Sequence, residues 1–278
     1  MTDTPALTVT FLKAGSCRQK ARLAGRLESG SIDFHAVFLH VRHPEHGDYL
    51  IDTGYGPRYM ELLRKFPERV LGWLLPTRLA TDEYPDLRIR QAGLDPDALR
   101  GILLSHFHAD HIGGVSRFPG VPLVARRAAY ESASRGGHWS QVARGFVSRL
   151  LPDDLSNHVR WIDEPNFVPG TGVLSDFLVH DYWQDGSLLW VDLPGHADHH
   201  VGFLLRTAEG PLFYIVDACW DVEALLAARR LPWLGRHVQH NAQRYEATQQ
   251  RLRDFHHATG IPLLACHCHR TLPRVVTA

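Results

Sequence analysis

The most informative stretch of the chain reads Leu103-Leu104-Ser105-His106-Phe107-His108-Ala109-Asp110-His111-Ile112-Gly113-Gly114. Four side chains able to bind a metal fall within six residues, directly after an apolar run that predicts a buried strand. In an extended segment His106 and His108 point to the same side, because side chains alternate with a period of two. The turn that follows would aim Asp110 and His111 toward a second position nearby. Imidazole and carboxylate donors of this kind suit two adjacent metal sites.

Each of four further candidate ligands follows an apolar, strand-like segment. They are Asp52 after 49–51, His196 after 190–193, Asp217 after 213–216 and His267 after 263–266. Side chains at strand ends are held by a rigid scaffold, so a sheet edge can build a preorganised site from them. The sequence therefore predicts that these residues join the His106–His111 segment at one site.

The segment Cys266-His267-Cys268-His269 leaves the identity of the last ligand open. His267 is favoured because it directly follows the apolar run, whereas His269 lies further along the loop. The two thiols could also bind a metal, but reduced cysteines are usually buried without a ligand role.

Runs of strand-like sequence occur on both sides of helical segments. The strand-like segments are 7–12, 32–41, 48–51, 101–104, 121–125, 187–193, 201–207, 212–216 and 261–265. Helical spacing of apolar residues is found in 139–150 and 243–257, and residues 208–210 predict a hairpin turn. Because the strands do not alternate strictly with helices, this order predicts an α/β domain of two sheets covered by helices.

Length and composition favour a single globular domain spanning residues 1–278. The chain has 278 residues, 44% of them hydrophobic, and its 30 basic side chains equal its 30 acidic ones. This balance argues against nucleic acid and against an anionic membrane surface as partners. Four cysteines are too few for a disulfide framework. With no long apolar run, and no basic and then apolar segment at the start, a cytoplasmic protein is expected.

These motifs together resemble those of the metallo-β-lactamase superfamily of hydrolases, across nearly the whole chain. The segment from His106 to His111 matches the HxHxDH signature of that family. The other matching motifs are Ile51-Asp52-Thr53-Gly54, Pro194-Gly195-His196, Val216-Asp217-Ala218 and Ala265-Cys266-His267, in the family's order. The resemblance implies the αββα sandwich of that family, in which two mixed sheets are flanked by helices.

The resemblance also implies ligands for two metal ions. His106, His108 and His196 would hold one ion, Asp110, His111 and His267 would hold the other, and Asp217 would bridge both. Asp52 would orient a ligand histidine without binding a metal itself. Zinc is the expected metal, although iron and manganese suit the same donors. Two ions about 3.5–4 Å apart can share a hydroxide and polarise a substrate oxygen, so Asp110 and Asp217 are also predicted to be catalytic.

The element Asp217-Ala218-Cys219-Trp220 resembles the homoserine-lactone lactonase branch, with one departure. That branch has a tyrosine three residues after the bridging aspartate, which donates a hydrogen bond to the substrate carbonyl. Trp220 stands in its place and is predicted to bind substrate, although an indole N–H can donate one hydrogen bond but cannot act as an acid.

Three hypotheses about activity follow from the resemblance. Hydrolysis of an ester or lactone in a small-molecule substrate is the first, and thioester hydrolysis of the glyoxalase II kind is the second. The third, of a different class, is a non-catalytic member that binds a ligand for signalling. The intact set of ligand positions favours an enzyme.

The segment 55–90 is long for a simple connection and predicts a helical insertion. Its apolar residues, among them Phe66 and Trp73, lie on more than one helical face. One interpretation is that the segment packs on the domain or forms a homodimer contact. The other is that Phe66 and Trp73 wall the cleft and bind an apolar acyl or aromatic arm of the substrate.

Overall fold

Two stacked β-sheets lie at the centre of the computed structural model, which describes residues 4–276. The strands are β1 (Thr8–Lys20), β2 (Ser31–His43), β3 (Gly47–Ile51), β4 (Thr77–Arg78), β5 (Leu99–Leu103), β6 (Leu123–Arg126), β7 (Val159–Ile162), β8 (Val168–Pro169), β9 (Leu178–Asp181), β10 (Leu188–Asp192), β11 (Val201–Thr207), β12 (Gly210–Val216) and β13 (Leu263–Ala265). The helices are α1 (Pro57–Leu62), α2 (Arg69–Leu74), α3 (Pro85–Gln91), α4 (Ala109–Ile112), α5 (Arg127–Ala133), α6 (His138–Ala143), α7 (Leu155–His158), α8 (Val222–Leu226), α9 (Trp233–His237) and α10 (Ala242–Thr259).

Both sheets are mixed. The first has the strand order β4-β1-β2-β3-β5-β6-β7, and the second has the order β13-β12-β11-β10-β9-β8. Strands β3, β5, β6 and β7 pair in parallel, as do β12 and β13, while the hairpin-connected strands are antiparallel. Parallel neighbours place their carboxyl ends at the same sheet edge, which is where the loops of the site begin.

Apolar side chains fill three layers of core. Leu39 and Leu103 of the first sheet pack against Trp190 and Phe203 of the second, and all four are fully buried. Helices cover the two outer faces, with α1 and α4 on the first sheet and α8 and α10 on the second. The predicted αββα sandwich is thereby confirmed.

Most predicted elements are present with shifted ends. Thr207 pairs with Gly210 across the predicted hairpin. The helix predicted at 243–257 is α10, which Asn241 caps by accepting a hydrogen bond from the Arg244 N–H at 2.9 Å. Strands β4, β7, β8 and β9 are short and partly exposed, so they lack the apolar alternation that reveals a strand.

The prediction of one helix through 139–150 was wrong. Helix α6 ends at Ala143, and Gly145 follows with a φ of +82°, a conformation that interrupts the helix. A Cβ atom at Gly145 would lie 3.1 Å from Cδ2 of His108, so this glycine also lets the loop approach the site closely.

The segment 55–90 contains α1, α2, β4 and α3. Leu62 and Leu71 are buried against the first sheet, whereas Phe66 and Trp73 are 54% and 62% exposed.

None of the helices in the described part of the chain is long and apolar enough to span a membrane. The prediction that the chain has no export signal rests partly on residues 1–3. These residues lie outside the described part of the structure.

Candidate metal centre

The predicted residues at the strand ends meet at one edge of the sandwich. In the first group, nitrogen atoms of His106, His108 and His196 lie within 4.8 Å of one another. Nε2 of His196 is 2.9 Å from Nδ1 of His108. The two sheets therefore both contribute to this group, since β5 precedes His106 and β10 precedes His196.

The second group lies beside the first. His111, Asp217, Cys266 and His267 offer donor atoms within 4.8 Å of one another. Asp110 completes this group, because its Oδ2 is 3.2 Å from Nε2 of His267 and 3.5 Å from Nε2 of His111. The thiol of Cys266 has another contact, since Sγ donates to the carbonyl oxygen of Val37 at 3.3 Å.

Asp217 lies between the two groups. Its Oδ2 is 3.2 Å from Nε2 of His196 in the first group. The same oxygen is 3.2 Å from Nε2 of His267 and 3.5 Å from Nε2 of His111 in the second. One carboxylate thus touches both groups, as a bridging ligand must.

Unsatisfied atoms within the described residues show that this centre fits a cation. His106 Nε2, His111 Nε2 and Asp217 Oδ1 are fully buried and have no hydrogen-bond partner. A buried polar atom without a partner costs on the order of 1–3 kcal/mol. Three such atoms facing one cluster of imidazoles and carboxylates are explained by metal ligation, which would satisfy all three.

The electrostatics of the protein alone keep two ligand imidazoles neutral and two carboxylates charged. Burial lowers the pKa of His106 well below its usual range and that of His108 to about 3, so both imidazoles are neutral at neutral pH. Burial alone would raise the pKa of Asp110 and Asp217, but the protonated rings of His111 and His267 outweigh it and lower both values. The carboxylates in turn raise the pKa of His111 and His267, so a metal ion would displace a proton from each ring. Both carboxylates are therefore anionic.

Asp52 fixes the ring of His111. The Nδ1–H of His111 donates to Oδ2 of Asp52 at 2.8 Å, which leaves Nε2 facing the cluster. Asp52 is held in turn by Ser105, whose backbone N–H donates to Oδ1 at 2.8 Å and whose hydroxyl donates to Oδ2 at 2.7 Å. Asp52 has a φ of +60°, an uncommon conformation for this residue type that the surrounding contacts maintain.

Two further orienting contacts were missed by the sequence analysis. Nδ1 of His196 donates to Oε1 of Gln239 at 2.9 Å, and the amide of Gln239 donates to the carbonyl oxygen of Gly235 at 2.8 Å. Nδ1 of His267 donates to the carbonyl oxygen of His35 at 2.9 Å. Neither contact has a local sequence signal, because each joins residues far apart in the chain.

His200 supports the backbone of Asp217. Its Nδ1–H donates to the carbonyl oxygen of Leu193 at 3.1 Å, and its Nε2 accepts from the Asp217 N–H at 3.3 Å. Val216, just before Asp217, has a φ of +53°, which is strained for a β-branched residue. The chain thus turns sharply at the end of β12 and aims Asp217 into the cluster.

A comparison with known sequences identifies the family of the chain, and it agrees with the geometry of this centre. Residues 35–252 match the sequence model described as the metallo-beta-lactamase superfamily. The chain belongs to the metallo-beta-lactamase superfamily. The prediction of a metal-dependent hydrolase of this superfamily is thereby confirmed.

Several relatives within the superfamily are described as lactonases. The chain is 26% identical to the N-acyl homoserine lactonase AttM of Azorhizobium caulinodans over 80% of this chain and 79% of that protein. A solved N-acyl homoserine lactone hydrolase, with N-hexanoyl-L-homoserine at its catalytic metal centre, has a TM-score of 0.74 at 17% identity, covering 99% of this chain and 98% of that one. AidC, described as a dizinc quorum-quenching lactonase, has a TM-score of 0.65 at 14% identity, with 96% and 89% covered.

His269, the alternative to His267, lies outside the cluster of this superfamily member. The guanidinium group of Arg26 donates to Nδ1 of His269 at 2.7 Å and to Oδ2 of Asp221 at 2.8 Å. A cationic side chain already occupies this position, which disfavours a metal ion there. His267, not His269, lies with the other predicted ligands.

Of the three aromatic residues predicted to bind substrate, Trp220 lies beside the cluster. The centroid of its ring is 5.9 Å from that of His196 and 5.9 Å from that of Phe34. Phe66 and Trp73 instead contact each other, with centroids 5.7 Å apart, on the exposed side of α2.

Proposed function

We propose that this chain hydrolyses lactones at a centre of two zinc ions, with N-acyl homoserine lactones as the substrate class. The observation that carries the proposal is the position of Asp217 Oδ2 between two groups of buried imidazoles, 3.2 Å from His196 and 3.2 Å from His267. The relatives described as N-acyl homoserine lactonases support the choice of bond.

The ligands are assigned in two sets. His106, His108 and His196 would hold one ion, and Asp110, His111 and His267 would hold the other, with Asp217 shared. Two such ions, when bound, would supply the activation of water and the polarisation of the scissile carbonyl. The zinc ions themselves are favoured over iron and manganese by the relative described as a dizinc lactonase.

The chain's own residues would hold this centre rigid. Asp52 and Gln239 fix the rings of His111 and His196 through their Nδ1 atoms, so that both Nε2 atoms face inward. The anionic Asp110 and Asp217 offset part of the repulsion between two cations. Trp220 would orient the substrate by donating its indole N–H to a carbonyl oxygen, without providing a proton to the leaving group.

An apolar acyl arm would extend from Trp220 toward α2. Phe34, Leu75 and Trp220 belong to one apolar cluster beside the centre. Leu75 follows α2 directly, and Trp73 lies on that helix with Phe66 just before it. We place the acyl arm along Trp73 and Phe66.

A cytoplasmic location remains a prediction from the sequence alone.

A substrate panel tests the proposal. The zinc-loaded protein should hydrolyse N-acyl homoserine lactones with a kcat/KM at least about tenfold above that for thioesters with the same acyl group. The ratio of the two kcat/KM values reports how much more tightly the site binds one transition state than the other. Phosphodiesters should not react. Faster thioester hydrolysis would favour the glyoxalase II hypothesis, and no hydrolysis of any substrate would favour a non-catalytic role.

The position of the acyl arm is tested by chain length. The kcat/KM of the native protein should rise with acyl length, since each buried methylene contributes about 0.8 kcal/mol. Trp73→Ala should flatten that rise. The matched control is Trp233→Ala on α9, a side chain 74% exposed, which should keep the native slope. Equal slopes for all three proteins would remove Trp73 from the substrate site.

A further inference from the structure

An exposed group of large apolar side chains lies on α2, on α6 and in the loop just before α2. Phe66, Trp73, Leu74 and Trp139, here called the aromatic platform, are 54%, 62%, 67% and 62% exposed. Ring centroids join Phe66 to Trp73 at 5.7 Å and Phe66 to Trp139 at 6.4 Å. A contiguous apolar patch of this kind on a protein surface marks an interaction site.

The aromatic platform is held in place from below by a buried carboxylate. Glu68 is fully buried. Its Oε1 accepts from Nε of Arg149 at 3.0 Å and lies 3.1 Å from Nε2 of His138, while Oε2 accepts a second hydrogen bond from Arg149. These contacts tie the start of α2 to α6, so the two parts of the platform are fixed relative to each other before any partner binds.

Cationic side chains lie on or beside the segments that carry the aromatic platform. The Arg69 guanidinium lies 5.8 Å from the centroid of Phe66 and 5.4 Å from that of Trp73. Arg64 and Lys65 precede Phe66, and Arg144 donates to Ser140 Oγ next to Trp139 at 2.6 Å. Within residues 4–276, none of these four cations forms an ion pair with a carboxylate. The side chains of Arg64, Lys65 and Arg69 are exposed, whereas Arg144 also donates to the backbone carbonyl oxygens of Ala133 and Arg135.

We propose that the aromatic platform binds the surface of an anionic phospholipid membrane. Exposed Trp, Phe and Leu insert at the boundary between headgroups and acyl chains, and flanking Arg and Lys side chains bind anionic headgroups. A second copy of this chain fits less well, because a two-fold contact through the platform would bring two cationic rims together.

This surface connects to the cleft through α2. The Gln19 side chain donates to the carbonyl oxygen of Leu74 at 2.7 Å, and the next residue, Leu75, packs in the apolar cluster that contains Trp220. A membrane bound at the platform would therefore lie next to the Trp220 side of the metal centre. Lipid binding itself does not depend on the proposed lactonase activity.

Vesicle flotation with the full-length, zinc-loaded protein tests this proposal. Binding to vesicles of phosphatidylcholine and phosphatidylglycerol should be at least about tenfold stronger than binding to phosphatidylcholine alone, and should weaken with added salt. Arg64→Glu combined with Lys65→Glu should abolish the preference for phosphatidylglycerol. Trp139→Ser combined with Leu74→Ser should weaken binding to both vesicles, whereas Trp233→Ser, the matched control, should bind like the native protein.

Thermal unfolding of each variant separates loss of binding from loss of the fold, and the charge-reversed variant alters only exposed positions. Equal binding of the native protein to both vesicles, or a preference for phosphatidylglycerol that survives the charge reversal in a folded protein, would overturn the proposal. So would a dimer in sedimentation that dissociates on Trp139→Ser while no vesicle is bound, since a second copy would then cover the platform.

Discussion

Asp217→Asn should lower turnover of the lactone substrate by at least about 100-fold. An outer-shell partner typically contributes 10–100-fold in affinity or activity, and Asp217 reaches both groups of imidazoles directly. The amide keeps the shape of the side chain but loses its negative charge and one lone-pair donor. Because the amide carries no charge, it cannot offset two adjacent cations, and no other side chain in the described residues forms a hydrogen bond to the buried Oδ1 in its place. Turnover and zinc content measured on the same sample check this.

Two cysteines provide the controls for that substitution. Cys219 and Cys268 are buried near Asp217 and His267 in sequence, and burial raises the pKa of the Cys219 thiol well above its usual range, so it is protonated and unreactive. Cys219→Ser and Cys268→Ser should therefore retain most of the turnover. Loss of activity on a cysteine change, with zinc content unaltered, would contradict a mechanism based on metal-activated water.

Asp52→Ala should weaken zinc binding by about 10–100-fold. The alanine cannot accept the 2.8 Å hydrogen bond from Nδ1 of His111, so the ring can rotate and its Nε2 no longer faces the cluster in a fixed tautomer. Competition with a chromophoric chelator measures the affinity independently of activity.

The matched control for Asp52 lies at the other end of the same strand. Asp48 is nearly buried and pairs with Arg42 at 2.7 Å. Asp48→Ala removes a buried carboxylate from β3 but should leave zinc affinity unchanged. If both variants bind zinc equally tightly, Asp52 does not orient a ligand.

The arrangement of the sandwich and of its strand-end residues could be predicted because both have local signals. Apolar runs marked the central strands, and each predicted ligand directly followed one of them. Gln239 gave no such signal, since it reaches His196 across 43 residues of sequence. The apolar spacing of 139–150 continued across Gly145, so it did not reveal the break that the φ of +82° at this glycine produces.

The net charge of the chain did not predict the local charge around α2. The basic and acidic side chains of the whole chain cancel, which predicted no affinity for an anionic surface. A sum over the chain cannot show position, however, and Arg69 lies over two exposed aromatic rings, with Arg64 and Lys65 close by in the sequence. Glu68, an acidic residue close to them in the sequence, is buried and contacts Arg149 and His138. Only the structure separates buried charge from exposed charge.

The most direct test of a dinuclear centre is the metal content of the protein purified without added metal. Elemental analysis should find close to two equivalents of zinc per chain, because seven donor residues converge on two positions that share Asp217. One equivalent or fewer, not rising after loading with zinc, would contradict the two-ion account.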